Sequence, residues 1–557
     1  METIRITLPS GRVSVVPVRT RTGEVIIREK LDHLADSGGS PVVATLINNE
    51  LTSLSYRLEV NCVLVPVPLD TPEGMMIYRR SLCFLLAIAA RNTLPGRRLI
   101  LGHSLGDGYF YHFEDAPELA EHEKATLLAE MNRLVSEDLP IQRKVVGYQE
   151  ALEYFQENKL EDTALLLQSR NESKIPVYAC GDFMDLSHGP LLPKTSLLTL
   201  FDIILHPPGF ILRYPSTREP HFLQPYRDMP LLFSIYQEYK NWGRMIEIGS
   251  VGRLNRLSRT KQIRDFIWVA EALHSKKISE ISDRIHEARD AVKVILIAGP
   301  SSSGKTTFAK KLAIQLTVMG FRPIAISLDN YFVPREETPR DENGDYDFEN
   351  LNAIDIKLLN DNLIGLFQGD EVRLPLFDFR TGRRSDDGPV VTLPSRGLVI
   401  MEGIHGLNDG LTPRIAREQK YRIYVSALTQ LNLDDHNRIP TTDNRLIRRL
   451  VRDYQYRGHS ALETLKMWPS VRRGEDRNIF PYQDSADSAF NSALDYELGV
   501  LKAFAEPLLQ DVKPHDTLYH EALRLLSFVG NFMPIPSHYV PDQSILREFI
   551  GGSAFKY

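Results

Sequence analysis

The stretch that decides the fold is "VKVILIAGPSSSGKTTFAKKLAIQLTVMG", residues 292–320. Apart from Lys293, its first seven residues are apolar and largely β-branched, the pattern of a buried strand. Gly299, Gly304, Lys305 and Thr306 then spell G-x-x-x-x-G-K-[ST]. Beyond them Phe308, Leu312, Leu316 and Met319 recur on one helical face, and Gly320 stands where such a helix ends. Strand, glycine-rich turn and helix in that order predict a phosphate-binding loop (P-loop) and open an α/β domain with a parallel sheet.

Each residue type has a physical task. Glycines let the backbone of Gly299, Pro300, Ser301, Ser302, Ser303 and Gly304 curl, so that N–H groups converge on phosphate oxygens. The start of the helix, with Lys305, Thr306 and Thr307, adds positive potential. Lys305 brings charge to the β- and γ-phosphates, and the Thr306 hydroxyl can hold Mg²⁺. The expected cofactors are therefore ATP and Mg²⁺.

Downstream residues extend the site. "IAISLDNYF" reads as a second strand ending at Asp329, and "GLVIMEG" as a third ending at Glu402. Ligands gather at the carboxyl ends of parallel strands, so both acids are expected near the phosphates, one for metal and one for a proton. In "DNRLIRRLVRDYQYRGH", Arg445, Arg448 or Arg449, and Arg452 share a helical face, with Arg457 near its end. Such a face either closes over polyphosphate or is a solvated salt-bridge face.

The order of P-loop, "DNYF", "DYDFENLNAID", "LPLFDF", "VIMEGIHGL" and "RRLVRDYQYRG" resembles the uridine kinase and phosphoribulokinase family of P-loop kinases. The resemblance covers residues 292 to about 500. It implies Asp329 as the base for an acceptor hydroxyl and a group near the metal, Glu402 as a Mg²⁺-linked acid, and Arg452 and Arg457 as lid arginines facing phosphate. It places Phe332, Glu349 and Phe377 against the acceptor. Glu349 stands where uridine kinases usually carry Asp, while Phe377 and Gly382 replace the Tyr and His beside the pyrimidine. Base recognition is thus rewritten around intact phosphoryl-transfer residues. Trp468, Arg472 and Arg473 supply either replacement contacts or, for Trp468, packing.

The front half resembles other proteins. Residues 1–66 are β-rich ("TIRITL", "VSVVPV", "CVLVPVPL", and a turn and strand pair in "GGSPVVATLINNELTSL") and resemble a TGS module, a β-grasp domain. Residues 67–240 resemble the α+β editing domain of threonyl- and alanyl-tRNA synthetases, through "YRRSLCFLLAIAARNTLPGRRLILGHSLGDGYFYHF" and "YACGDFMDLSHGPLLPKTS". That family's His-x-x-x-His and Cys-x-x-x-His pairs fall on Arg80, Phe84, Ser187 and Leu191, none of which retains the reactive side chain. The cluster Cys180, Asp182, Asp185 and His188 is read as the remnant of such a pocket. Residues 241–285 read as a charged helical linker and 286–557 as the kinase-like domain with a C-terminal extension, to whose tail no chemistry is assigned.

The whole chain sets bounds. Its 557 residues exceed one ordinary core. A net charge of −6 sets no strong prior for nucleic acid and leaves room for a local basic patch. Three scattered cysteines make no disulfide framework, and the start resembles a strand rather than a signal peptide, so a cytoplasmic, non-membrane protein is expected. Two functions stay open: a kinase for a small nucleoside-like acceptor with a regulatory or substrate-sensing front half, or an RNA- or tRNA-associated binding protein whose kinase domain senses nucleotides. Editing hydrolysis is a weaker third. A homo-oligomer is left open.

Overall fold

The computed structural model describes residues 2–32, 40–114, 116–340, 344, 346–378, 381–385 and 387–556. The turn read at Gly38–Gly39, Asp345 of "DYDFEN" and the pair Phe379–Arg380 of "LPLFDFRTGRR" lie outside them. The architecture is multidomain, with β-rich units in front and a parallel-sheet unit behind.

The front opens on a five-stranded sheet of Thr3–Thr7, Val13–Pro17, Val42–Ile47, Glu50–Ser53 and Cys62–Pro68, with the first strand between the second and the fifth. Its first two strands alternate buried and exposed, as a sheet with one wet face requires. The helix Thr22–Arg28 covers the other face with Val25 and Ile26.

The helix Pro72–Thr93 follows. The Thr71 hydroxyl accepts from the Gly74 N–H (3.0 Å) and Pro72 occupies the first turn, two standard start signals. Leu82, Leu85, Leu86 and Ala89 are buried against a four-stranded antiparallel sheet that includes Arg98–Ser104 and Gly108–Glu114. A separate three-stranded sheet contains Lys174–Cys180 and Phe183–Leu186. Val43, Ala44 and Val67 of the first sheet share the core of this second unit, so the two front units pack as neighbours.

The segment read as a linker, residues 241–285, takes in the end of the helix Pro230–Met245, the helix Val251–Arg259 and nearly all of the helix Ile263–Glu287. The last is no free tether. Ile267, Ile278, Ile281 and Ile285 join the core that holds the P-loop strand and helix.

Behind it lies a five-stranded, all-parallel sheet in the order Arg322–Ser327, Gly397–Glu402, Val294–Ala298, Lys420–Ser426, Ser488–Asn491. Val294–Ala298 is buried throughout because it is the central strand. It feeds the P-loop and the helix Lys305–Val318. The strand read as ending at Asp329 ends instead at Ser327. It is an edge strand with exposed positions, and Leu328–Tyr331 forms a 3₁₀ turn in which the Asp329 N–H donates to Ser327 Oγ (3.3 Å). The predicted third strand ends at Glu402 as expected. Among the described residues no helix is long and apolar enough to cross a membrane.

Candidate active site

The P-loop backbone carries the conformations its glycines permit. Gly304 has φ +80°, and Ser302 shares the left-handed region at φ 59°. A Cβ at Gly299 would run into the Val425 carbonyl, so only glycine fits there. Lys305 Nζ donates to the carbonyls of Gly299 (2.8 Å) and Pro300 (3.1 Å). Burial pushes this ammonium below its usual range, against the pull of Glu402.

The sheet register brings the acids here. Glu402 pairs with Ile297 on one side and Ser327 on the other, so its carboxylate and the Asp329 turn flank the same strand ends. The Thr306 hydroxyl donates to Glu402 Oε1 (3.1 Å). Burial raises the Glu402 carboxyl, with Lys305 opposing. Asp329 is an exposed residue with protein packed close by. That crowding raises its carboxyl, while Lys305 and Arg457 pull it down.

Two further carboxylates occupy P-loop donors. Glu475 Oε1 accepts from the Ser301 N–H (2.9 Å), and Glu548 Oε2 accepts from the N–H (3.2 Å) and hydroxyl (2.6 Å) of Thr307. The buried hydroxyls of Ser302 and Ser303 have no hydrogen-bond partner among the described residues. These donors form an oxyanion site, filled at two positions by the protein's own acids. They fit a nucleotide polyphosphate, and Thr306 with Glu402 and Asp329 fits a hard cation that prefers oxygen ligands.

The helix Thr441–Arg457 carries the predicted arginines, with a division of labour the spacing did not reveal. Arg445 Nε donates to the Ser301 carbonyl (2.9 Å) and its guanidinium pairs with Glu475. Arg448 donates to the Ser302 carbonyl (3.2 Å) and pairs with buried Glu497 (Nε–Oε2 3.0 Å). Arg449 reaches Ser301 Oγ (2.9 Å). Arg452 and Arg457 both turn to Asp453, at 3.0 and 3.4 Å. On the following helix Arg472 pairs with Glu475 (2.8 Å), and Trp468 lies against Arg445 (5.4 Å to the ring centroid).

Two of the three predicted acceptor residues meet. Phe332 and Phe377 rings are 5.6 Å apart. Glu349 packs against Gly474, where a Cβ would collide with it. Burial, with Glu475 close by, pushes the Glu349 carboxyl up to about 7. Glu475 and Glu548 are the residues sequence reasoning missed. Neither belongs to a motif, and the second lies in the tail to which no chemistry was assigned.

In the cluster "CGDFMDLSHGP" Cys180 and Asp185 are buried and Asp182 is exposed. His188 Nε2 meets Asp434 (2.6 Å), His436 Nδ1 meets Asp185 (3.1 Å), and Arg91 pairs with Asp182. Both His–Asp contacts cross from the front half to the loop ahead of the arginine helix. Arg80, Phe84 and Leu191 do converge, with His188 and Cys83, around a space of only about 10 Å³. That holds a water at most.

The chain is similar to known proteins of two kinds. Residues 294–498 match the model of the "Phosphoribulokinase / Uridine kinase family". The chain is also similar to threonine–tRNA ligase of Desulforamulus reducens (29% identity over 196 residues, 35% of this chain and 30% of the ligase). Threonine–tRNA ligase 2 of Bacillus subtilis matches likewise (29% over 201 residues, 36% and 31%). This chain thus spans about a third of those relatives' length. Among solved structures, a "possible uridine kinase" of Bacillus stearothermophilus aligns at 20% identity and TM-score 0.23, covering 38% of this chain and 100% of that one. The protein therefore combines a P-loop region related to uridine kinases and phosphoribulokinases with an N-terminal region homologous to accessory domains of threonyl-tRNA synthetases.

Proposed function

We propose that this protein is an ATP-dependent kinase that transfers the γ-phosphoryl group to a hydroxyl of a small nucleoside-like acceptor. The observation that carries the reading is the convergence of Lys305, Thr306, Glu402 and Asp329 at the carboxyl ends of adjacent parallel strands. Bound Mg²⁺ would supply charge neutralisation at the phosphates, held by Thr306, Glu402 and Asp329. Lys305 positions the polyphosphate. Asp329 orients the acceptor hydroxyl and takes its proton, a task suited to a carboxyl raised above its ordinary range. Phe332 and Phe377, with rings tilted 54° to each other, offer an apolar corner for the acceptor, and Glu349 a hydrogen-bonding partner for its hydroxyls. Arg452 and Arg457 lie at the end of the arginine helix, where release from Asp453 would let them face the transferred group.

The front half acts in regulation or substrate sensing rather than editing. Support comes from Arg80, Phe84 and Leu191 closing the pocket where a hydrolytic site would have to open. The homology to threonyl-tRNA synthetases favours a second reading, an RNA-associated protein. A screen of ATP consumption over pyrimidine and purine nucleosides, ribulose 5-phosphate and pantothenate, with Lys305→Ala as control, decides between them. Turnover with one acceptor class supports the kinase. No turnover, with tight salt-sensitive tRNA binding, supports the alternative.

A further inference from the structure

A cavity of about 430 Å³ lies between the front half and the kinase-like region, away from the P-loop. That volume suits a small organic molecule. One wall is the helix Pro72–Thr93 and the opposite wall is the first turns of the arginine helix, where Thr442, Asp443 and Leu446 face it.

The charges in this cavity are unequally satisfied. Its acids are paired: Asp443 accepts from Arg524 at 2.6 and 2.8 Å, Glu521 from the same guanidinium at 2.8 Å, and Glu73 lies 3.5 Å from His520. Three of its cations are not. Arg79, Arg80 and Arg438 have no carboxylate within ion-pair distance among the described residues. Arg79 donates to Thr217 Oγ1 (3.0 Å) and keeps a buried Nε without a partner. Arg80 makes one long contact, 3.5 Å to the Pro190 carbonyl, and a Cβ at Gly189 would displace its guanidinium. Arg438 lies over the Tyr109 ring (5.4 Å). Burial and the neighbouring Arg524 push Arg80 below its usual range, and Tyr178, Tyr109 and Asp443 offset them only in part. Guanidinium forks in this state favour carboxylate or phosphate. Tyr109, Met76, Leu465 and Trp468 supply apolar surface beside them.

We propose that this cavity binds a small organic anion, a carboxylate or phosphate carried on a flat apolar body, and that its occupancy is felt at the P-loop through the arginine helix. The helix supports both halves. Its Thr442, Asp443 and Leu446 line the cavity, and on the same rigid turns Arg445, Arg448 and Arg449 hold Ser301 and Ser302. A ligand that shifts one end shifts the other. The binding half stands alone; the coupling half rests on the nucleotide-binding reading.

Calorimetry on the full chain tests it, with benzoate and phenyl phosphate as the two anions and benzyl alcohol as the neutral control. Saturable binding of at least one anion, none of the alcohol, and tenfold or greater weakening by Arg80→Gln and by Arg438→Gln are expected. Arg438, on the loop ahead of the arginine helix, keeps the test alive should Arg80→Gln fail to fold. No saturable binding of either anion overturns the site. So does binding that survives both substitutions and vanishes in Lys305→Ala, since the anion then sits on the P-loop. ATP titrated at saturating anion should show a Kd shifted fivefold or more. An unmoved Kd overturns the coupling, whereas failure of ATP to bind at all removes the nucleotide reading and leaves the anion site standing.

Discussion

Glu548 turns its carboxylate onto the first turn of the P-loop helix, where Oε2 accepts from both the N–H (3.2 Å) and the hydroxyl (2.6 Å) of Thr307. Helix N-termini of this kind receive phosphate oxygens. The carboxylate therefore competes with a nucleotide for the same donors, and its charge opposes the phosphates. Ile545, Leu546 and Phe549 are buried around it and hold the tail in place. Glu548→Gln keeps the shape and removes the charge, so ATP should bind about tenfold tighter, the worth of one charge-assisted hydrogen bond. An unchanged or weaker ATP affinity by fluorescence titration would count against competition.

Lys305 and Asp329 are expected to fail in different ways. Lys305→Ala should weaken ATP binding, because the ammonium is the P-loop's own cation. Asp329→Ala should lower kcat about 10²–10⁴-fold, the usual contribution of a general base, with a loss of ATP affinity smaller than that of Lys305→Ala, through its share of the metal. Steady-state kinetics beside nucleotide titration separates the two. Near-normal turnover of the Asp329 variant sinks its assignment.

The arginines of one helix divide in the same manner. Arg448 and Glu497 are fully buried together. Removing the cation as Arg448→Met strands a buried carboxylate and should cost about 3–5 kcal/mol of stability in urea unfolding. Arg452 is anchored nearer the surface on Asp453. Arg452→Ala should lower kcat with little loss of stability. Equal destabilisation by both would mean that Arg452 is structural too.

What the sequence revealed was what chain neighbours encode. Lys305, Thr306 and the strand before them lie within one short run, and Glu402 ends a strand whose apolar pattern is plain. Asp329 was misplaced on its strand because an edge strand leaves little periodicity. The Glu475–Ser301 and Glu548–Thr307 contacts join residues 174 and 241 positions apart, and His188–Asp434 spans 246. No local pattern specifies such pairs; tertiary packing alone brings them together. For the same reason "CGDFMDLSHGP" did not reveal its partners on the loop of residues 434–436.

Glu349 gives the site a pH signature. Burial and Glu475 raise its carboxyl to about 7, above the ordinary 4.5. A carboxyl raised on folding keeps its proton when the unfolded chain has lost it. Stability therefore falls as pH rises from about 4.5 to about 7, and the full penalty remains above. Glu349→Gln should stabilise the protein at pH 8 by about 1–3 kcal/mol and leave it unchanged below pH 4.5. Urea titrations at pH 8 and near pH 4.5 read the difference, and a gain that does not shrink at low pH contradicts this origin.

The contact between His436 and Asp185 should titrate with the opposite sign. Burial disfavours the charged imidazole, but Asp185, with Asp435 and Asp434 nearby, overcomes it and raises His436 to about 9. A histidine raised on folding contributes stability that is fully present below the unfolded value of about 6.5 and lost as pH rises through about 9. Asp185→Asn removes the main stabilising charge while keeping a hydrogen-bonding group of the same size. It should cost about 1–3 kcal/mol at pH 6 and almost nothing at pH 10. Since this contact bridges the front half and the loop ahead of the arginine helix, hydrogen exchange in residues 433–440 should quicken in the variant at pH 6. Loss of equal size at both pH values, or unaltered exchange in that loop, would show that the imidazolium does not hold the interface.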